Sequence, residues 1–391
     1  MTLIPLRQRL ALVCLSAVLS APVANAASEY IDGVAPGGTY RYGIHELKWG
    51  KDTNGNRLMD PGEVQRKEKG KWVELEKKDF GITVNRRRSG MYLPNAYIYR
   101  RTPTRDLMLY IDFPEDWKAS DKRPAMLWFF GGAWSVGNPS HFKPVSEYFA
   151  KRGVVGICVD YRIGRVDGND RNDYRGALDG KTAIRWVRKN AAKLGIDPDR
   201  IMAGGDSAGG HIPVATQIPT LNDPDDDLTI SGKLAALLMQ NPYVVRISEE
   251  SWVFQMDFKT LPPVWISYGL NDKAAYNDKP GNRREERNGA SFIAELEKAG
   301  IPLRTYLREG QGHGFCSGPH LDPSTRDIDD FLQECRLLPP AEAELPDKMT
   351  GAARGRHMQA ALAGKVKRAE PEILEFPTKP DKSEVEERNT P

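Results

Sequence analysis

From residue 107 onward, short apolar runs alternate with longer stretches whose apolar positions recur every three or four residues. Leu107, Leu109 and Ile111 alternate with other residues and predict a strand. The run 125–130 is apolar and ends in Gly131-Gly132, and the run 154–159 ends in Asp160-Tyr161-Arg162. Between them, 143–151 reads as a helix. Ala177, Ala183, Ile184, Val187 and Ala191 share one face of a longer helix that stops at Gly195, ahead of a turn at Asp197-Pro198. Residues 201–204, 235–239 and 264–268 are further apolar strands. A helix over 290–299 is ended by Gly300, 303–307 alternates as the last strand, and 327–332 lies in a final helix. Apolar strands alternating with helices predict an α/β fold, with a mostly parallel, doubly wound sheet covered by helices on both faces.

The two ends of the chain break this pattern. Arg7 and Arg9 precede an apolar run over 10–22 that is short for a bilayer span, and Ala24 and Ala26 are the small residues a signal peptidase reads. Residues 1–26 therefore predict a secretory leader cleaved after Ala26, with the mature protein exported, periplasmic or secreted. No later segment reads as a transmembrane helix. Residues 27–100 form a polar, weakly periodic N-terminal region, and 101–337 carry the α/β pattern. Residues 338–391 are charged, contain Pro and are sparse in apolar residues, which predicts a disordered tail with at most one short helix over 349–367.

Composition narrows the function classes. With 40% hydrophobic residues, 391 residues can bury one sizeable core plus appendages. The net charge of +3, with both signs abundant, lacks the concentrated basic face of a nucleic-acid binder. Without the leader, the cysteines are Cys158, Cys316 and Cys335, an odd number. Cys158 lies in an apolar run and reads as a buried free thiol. Cys316 and Cys335 could pair in an oxidising compartment, although a predicted helix separates them.

Candidate chemistry centres on Gly205-Asp206-Ser207-Ala208-Gly209, a Gly-x-Ser-x-Gly sequence with an apolar strand before it and a helix-compatible run after it. A serine on so tight a turn needs small neighbours, and the following helix turns its first N–H groups, that of Ala208 among them, toward a developing oxyanion. The alternative is a glycine-rich turn that only packs helix on strand. A serine hydroxyl needs a general base, and His313, between Gly312 and Gly314 just past the last strand, is the candidate. His320 on the same loop is its rival. His141 fits a pocket wall better, His211 points into packing, and His45 and His357 lie in the terminal regions. Asp272, just past the strand 264–268, is the acid that would orient the imidazole, with Asp278 as runner-up.

The order Ser, Asp, His is similar to that of the α/β-hydrolase superfamily. Within it the chain resembles the hormone-sensitive-lipase-like esterases and acetylesterases, over about 107–337. Gly205 to Gly210 matches that group's nucleophile motif. Phe130-Gly131-Gly132-Ala133-Trp134 aligns with its His-Gly-Gly-Gly oxyanion segment, and Asp160-Tyr161-Arg162, Gly269 to Asp272, and His313-Gly314-Phe315 fall where the group has them. The resemblance implies an α/β-hydrolase fold, a Ser207–His313–Asp272 triad, oxyanion donors at Gly132, Ala133 and Ala208, and no cofactor for catalysis. Phe130 replaces the motif histidine and Ala133 its last glycine. The backbone N–H groups survive both changes, but the support of that loop and its tolerance of bulky acyl groups come into question. No cap of N-terminal helices is evident, so the site reads as open, bounded by Trp134, His141 and an aromatic insert with Trp252, Phe254 and Phe258. That setting fits short acyl groups on a small-molecule or carbohydrate alcohol.

A second motif, 52–63, resembles an EF-hand calcium loop. Asp52, Asn54, Asn56, Asp60 and Glu63 place oxygens at loop positions one, three, five, nine and twelve, as hard calcium requires. Arg57 stands where the loop needs glycine, and Trp49-Gly50 interrupts the entering helix. Any calcium would be structural; the competing reading is an Asn/Gly/Asp-rich turn. Two alternatives to an esterase remain. One is a prolyl-oligopeptidase-like serine peptidase, which usually has Gly-x-Ser-Tyr-Gly and a propeller domain. The other is a non-catalytic, calcium-stabilised binding module on a hydrolase fold.

Overall fold

A computed structural model describes residues 36–42, 45–53, 62–75, 95–103, 105–167, 174–244, 250, 252–276, 288–318 and 320–339. The leader, His357, Asp278, the helix over 349–367 and nearly all of the tail lie outside the described residues, as do Asn54, Asn56 and Asp60.

The α/β pattern folds as one eight-stranded sheet. In chain order its strands are β5 (Ala96–Arg101), β6 (Asp106–Asp112), β7 (Arg123–Phe129), β8 (Val155–Val159), β9 (Ile196–Asp206), β10 (Leu237–Gln240), β11 (Val264–Gly269) and β12 (Leu303–Arg308). They lie in the order β12-β11-β10-β9-β7-β8-β6-β5. The six strands from β12 to β8 run parallel, and β6 pairs antiparallel with both β8 and β5. Every residue of β6, β8, β10 and β11 is buried, which is why β8, β10 and β11 read as apolar runs. The sheet is joined by helices α1 (Lys143–Lys151), α2 (Gly164–Asp167), α3 (Arg175–Lys189), α4 (Ala208–Ala215), α5 (Gly289–Ala299) and α6 (Leu321–Glu334).

Two boundaries differ from the sequence reading. The sheet starts at Ala96, inside the region taken as polar, because Tyr97, Ile98 and Tyr99 are buried there. Asp197-Pro198 does not end pairing. β9 begins at Ile196, bulges, and resumes its register with Ala125 opposite Ile201. The N-terminal region also carries a four-stranded antiparallel sheet, β1 (Thr39–Tyr42), β2 (His45–Trp49), β3 (Val64–Glu68) and β4 (Lys71–Glu74). The calcium-like loop therefore joins two antiparallel strands, β2 and β3, rather than two helices.

Cys158, Cys316 and Cys335 are all free, so the Cys316–Cys335 pairing does not form. Cys316 is buried and its thiol lies 3.2 Å from the Ser267 hydroxyl, whereas Cys335 follows the far end of α6. Among the described residues, no helix is long and apolar enough to cross a membrane.

A buried ionic network lies between β5, α3 and the segment after β8. Asp179, fully buried on α3, receives Arg162 Nε at 2.9 Å and Arg162 Nη2 at 2.8 Å, with Arg100 at 3.5 Å. Arg105 bonds to Asp160 and, at 3.1 Å, to Asp167. Each of these carboxylates faces a guanidinium that stays charged at any pH the protein meets.

Candidate active site

Ser207 sits between β9 and α4 with φ 56° and ψ −117°, a left-handed backbone that a non-glycine residue adopts only where its surroundings force it. The force is close packing. A Cβ on Gly209 would stand 2.1 Å from the Phe129 carbonyl oxygen, so only glycine lets α4 press against the end of β7. The turn is held further by the Ser207 N–H, which donates to the Gln240 carbonyl at 2.9 Å.

Three loops at the carboxyl ends of the parallel strands meet here. The Ser207 Oγ lies 2.7 Å from His313 Nε2, and His313 Nδ1 lies 2.7 Å from Asp272 Oδ2. The other carboxylate oxygen of Asp272 accepts from the N–H groups of Ala274 and Ala275 at 2.9 and 3.0 Å. Asp272 is buried and His313 partly open to solvent. Burial alone would lower the His313 pKa. The bond to Asp272 and its charge, helped by the charge of Asp206, more than offset this and hold it above the ordinary histidine value.

The oxyanion segment approaches from β7. Gly132 has φ 127°, and a Cβ there would fall 2.0 Å from the Val136 carbonyl oxygen. Ala133 and Trp134 follow, both with φ 52°. The N–H groups of Gly132, Ala133 and Ala208 are absent from the loop and turn hydrogen bonds of the described residues. A Cβ on Gly131 would lie 3.4 Å from the Ser207 Cβ, which places this segment beside the serine. Phe130, standing where the related motif has histidine, is supported by Tyr161. The rings stack at 4.2 Å, and the Tyr161 hydroxyl donates to the Phe130 carbonyl at 2.6 Å.

The proposed pocket residues fare differently. Trp134 is buried, with its ring edge-on to His211 at 5.5 Å and to Tyr243 at 5.8 Å. His141 Nε2 bonds to the Ser317 hydroxyl at 2.8 Å, four residues beyond His313, and lies 3.9 Å from Asp206 Oδ2. Trp252 is half-buried at the start of a 3-10 turn, Val253–Gln255. The rival His320 is drawn away, toward the Tyr306 hydroxyl at 3.4 Å. Asp206 was missed because the motif treats its position as variable. It is buried, and Asn241 Nδ2 donates to it at 3.2 Å. Ser317 carries no sequence signal beyond its closeness to His313.

For the calcium-like loop, the described residues include Asp52 and Glu63. The Glu63 carboxylate is buried and accepts from the Thr53 N–H at 2.7 Å and the Thr53 hydroxyl at 2.6 Å, which closes the loop on itself. Among the described residues, no cluster of three metal-ligating side chains occurs.

The family described as BD-FAE matches residues 111–229. Carboxylesterase NlhH of Mycobacterium tuberculosis is 36% identical over 31% of this chain, which spans only 37% of that relative's length. Esterase LipC of the same species is 34% identical over 61% of this chain and 67% of its own. A thermophilic esterase of Thermogutta terrifontis, solved with propionate bound, superposes with a TM-score of 0.56 at 32% identity, covering 63% of this chain and 96% of the other. Its native form gives a TM-score of 0.57 at 33% identity, covering 64% and 95%. With this coverage and a parallel sheet bearing serine, acid and histidine in that order, the chain belongs to the hormone-sensitive-lipase-like esterase group of the α/β-hydrolase superfamily.

Proposed function

We propose that the protein is an exported serine carboxylic-ester hydrolase that removes short acyl groups from a larger alcohol, carbohydrate among the candidates. The observation that carries this reading is the continuous hydrogen-bond chain from Ser207 through His313 to Asp272, 2.7 Å at each link. Ser207 Oγ attacks the ester carbonyl while His313 Nε2 takes its proton. Asp272 keeps the Nδ1–H in place and offsets the charge of the imidazolium. The carbonyl oxygen, now negative, accepts from the N–H groups of Gly132, Ala133 and Ala208; losing one such donor costs about 3 kcal/mol. His313 then returns the proton to the leaving alcohol, and water releases the acyl group from Ser207 by the reverse steps. No cofactor enters this scheme.

Short acyl specificity draws on two points. The Trp134 ring, at the end of the oxyanion segment, packs edge-on against His211 and Tyr243. The Thermogutta terrifontis esterase has been solved with propionate and with butyrate bound. Export rests on the leader pattern of residues 1–26. The test is hydrolysis of p-nitrophenyl acetate, p-nitrophenyl butyrate, acetylated sugars and a peptide by purified protein beside Ser207→Ala. We expect ester cleavage without peptide cleavage, and a fall of about a million-fold in kcat for the variant. Activity kept by the variant would refute the mechanism. Because the Thermogutta esterase is phosphorylated by paraoxon, that reagent should add one phosphoryl group to this chain and none to Ser207→Ala by mass spectrometry.

We also propose that loop 52–63 takes a structural calcium ion through Asp52, Asn54, Asn56, Asp60 and Glu63. Its ends are joined where the Gly50 N–H donates to the Glu63 carbonyl at 2.6 Å. Millimolar calcium should raise the melting temperature relative to chelator by a few degrees, on the order of 1 kcal/mol. An unchanged value would count against the site.

A further inference from the structure

We infer that the segment after β8 clamps the oxyanion loop, with Tyr161 as the positioning residue that aims the N–H groups of Gly132 and Ala133. This rests on reading Ser207 as the nucleophile and those N–H groups as oxyanion donors. The loop that carries them has a costly backbone. Ala133 and Trp134 are consecutive non-glycine residues, both with φ 52°, a conformation that persists only where the surroundings hold it. Phe130, at the start of the loop, has no hydrogen-bonding side chain, so the hold comes through its backbone and its ring.

Carbonyl oxygens along 130–134 are held in two ways. Gly132 accepts from the Ser135 and Val136 N–H groups at 3.0 and 3.1 Å, and Ala133 from the Ser135 hydroxyl at 3.1 Å. These bonds lie inside the loop and move with it. The other kind comes from the segment after β8. The Tyr161 hydroxyl donates to the Phe130 carbonyl at 2.6 Å, and the Gly164 N–H donates to the Trp134 carbonyl at 2.7 Å. Gly132 and Ala133 lie between these two anchors.

Tyr161 is itself firmly placed. It is fully buried, its ring stacks on Phe130 at 4.2 Å and tilts against Phe129 at 6.5 Å, and a Cβ on Gly176 of α3 would stand 3.1 Å from its Cδ2. Arg105 Nη2 donates to its backbone carbonyl at 2.9 Å. Burial pushes the phenol pKa up, so the hydroxyl remains a donor. A Cβ on Gly209 would stand 2.4 Å from the Phe130 carbonyl oxygen, so α4 packs against the same group. Without the Tyr161 hydroxyl this buried oxygen loses its donor, and the peptide that carries it can turn in search of another. Gly132 and Ala133 would turn with it. The ester oxygen gains its charge only in the tetrahedral steps, so misaimed donors lower kcat more than they weaken substrate binding.

Tyr161→Phe keeps the ring and removes the hydroxyl. We expect kcat for p-nitrophenyl butyrate to fall roughly tenfold, with KM changed by less than about twofold. Inhibition by 1,1,1-trifluorobutan-2-one reads the aim itself. The Ser207 oxygen adds reversibly to the ketone carbonyl and leaves an oxyanion facing the same N–H groups. Its inhibition constant should rise by the factor by which kcat/KM falls. Tyr148→Phe is the control, because it removes an equally buried hydroxyl, one that bonds Asp329 between α1 and α6. It should lower the melting temperature and leave kcat and the inhibition constant near wild type. Unchanged values in Tyr161→Phe, or equal losses in both variants, would overturn the inference. If Tyr161→Phe does not fold, Gly164→Pro removes the second donor at the first position of α2, where proline is tolerated, and should show the same paired loss. An unmoved inhibition constant there would overturn the clamp. Failure of the esterase reading looks different: the wild type would neither cleave the ester nor bind the ketone. An active wild type beside an unaffected Tyr161→Phe refutes only the role of Tyr161.

Discussion

Two of the regions that bury carboxylates differ in the cation each carboxylate meets. Between β5 and α3, Asp179 is met by Arg162 through two nitrogens and by Arg100. Around Ser207, Asp272 is met by His313 and by two backbone N–H groups, and Asp206 by His141 and Asn241. Arginine stays charged, so the first region is electrostatically fixed and can only hold the fold. Imidazole gains and loses a proton near neutrality, so the second region can pass through two charge states. Similar burial thus produces a brace in one place and a proton-transfer site in the other.

Three substitutions or measurements would break or sharpen this contrast. The largest effect is expected from Asp272→Asn, which keeps the volume but removes the anion. Its kcat should fall about 10⁴-fold, with the melting temperature nearly unchanged. A loss of stability comparable to that of an arginine-paired site would erase the distinction. Asp179→Ala is expected to do the reverse. It takes from Arg162 its two close contacts, leaves Arg100 with Asp223, and should cost about 3 kcal/mol of stability by urea unfolding, while kcat per folded molecule stays near wild type. The smallest effect is in the pH profile. His313 must be neutral to act as base, and its raised pKa delays deprotonation, so kcat/KM should rise through a midpoint above about 6.5. A midpoint below that value would mean that burial outweighs Asp272.

Much of the larger sheet was legible because its strands are buried on both faces and their apolar runs are continuous, as in β8 and β11. β5 was not, because Tyr97-Ile98-Tyr99 runs straight into Arg100 and Arg101, whose charges are met by Asp223, Asp179 and Asp106, outside the strand itself. β2 was missed for another reason: Leu47 and Trp49 do alternate inward, but five residues are too short a run to separate from loop. At the site, Ser207, Asp272 and His313 were legible because each follows a strand end with glycine nearby. The pairing of His141 with Ser317 was not, since it joins residues 176 positions apart that share no motif. Nor was the support of Phe130 by Tyr161, which depends on ring packing across two strands.

The three unpaired cysteines among the described residues have a practical consequence. Cys158 is sealed within β8 and Cys316 lies buried in the 3-10 turn Phe315–Ser317 that follows His313, and burial pushes both thiols well above the ordinary cysteine value. Cys335, half-buried after α6, is the one a solvent-borne reagent meets first. With the proposed leader and its Cys14 removed, a maleimide dye should accordingly label the folded protein first at Cys335, remote in sequence from Ser207. That would provide a spectroscopic reporter of unfolding without an engineered cysteine.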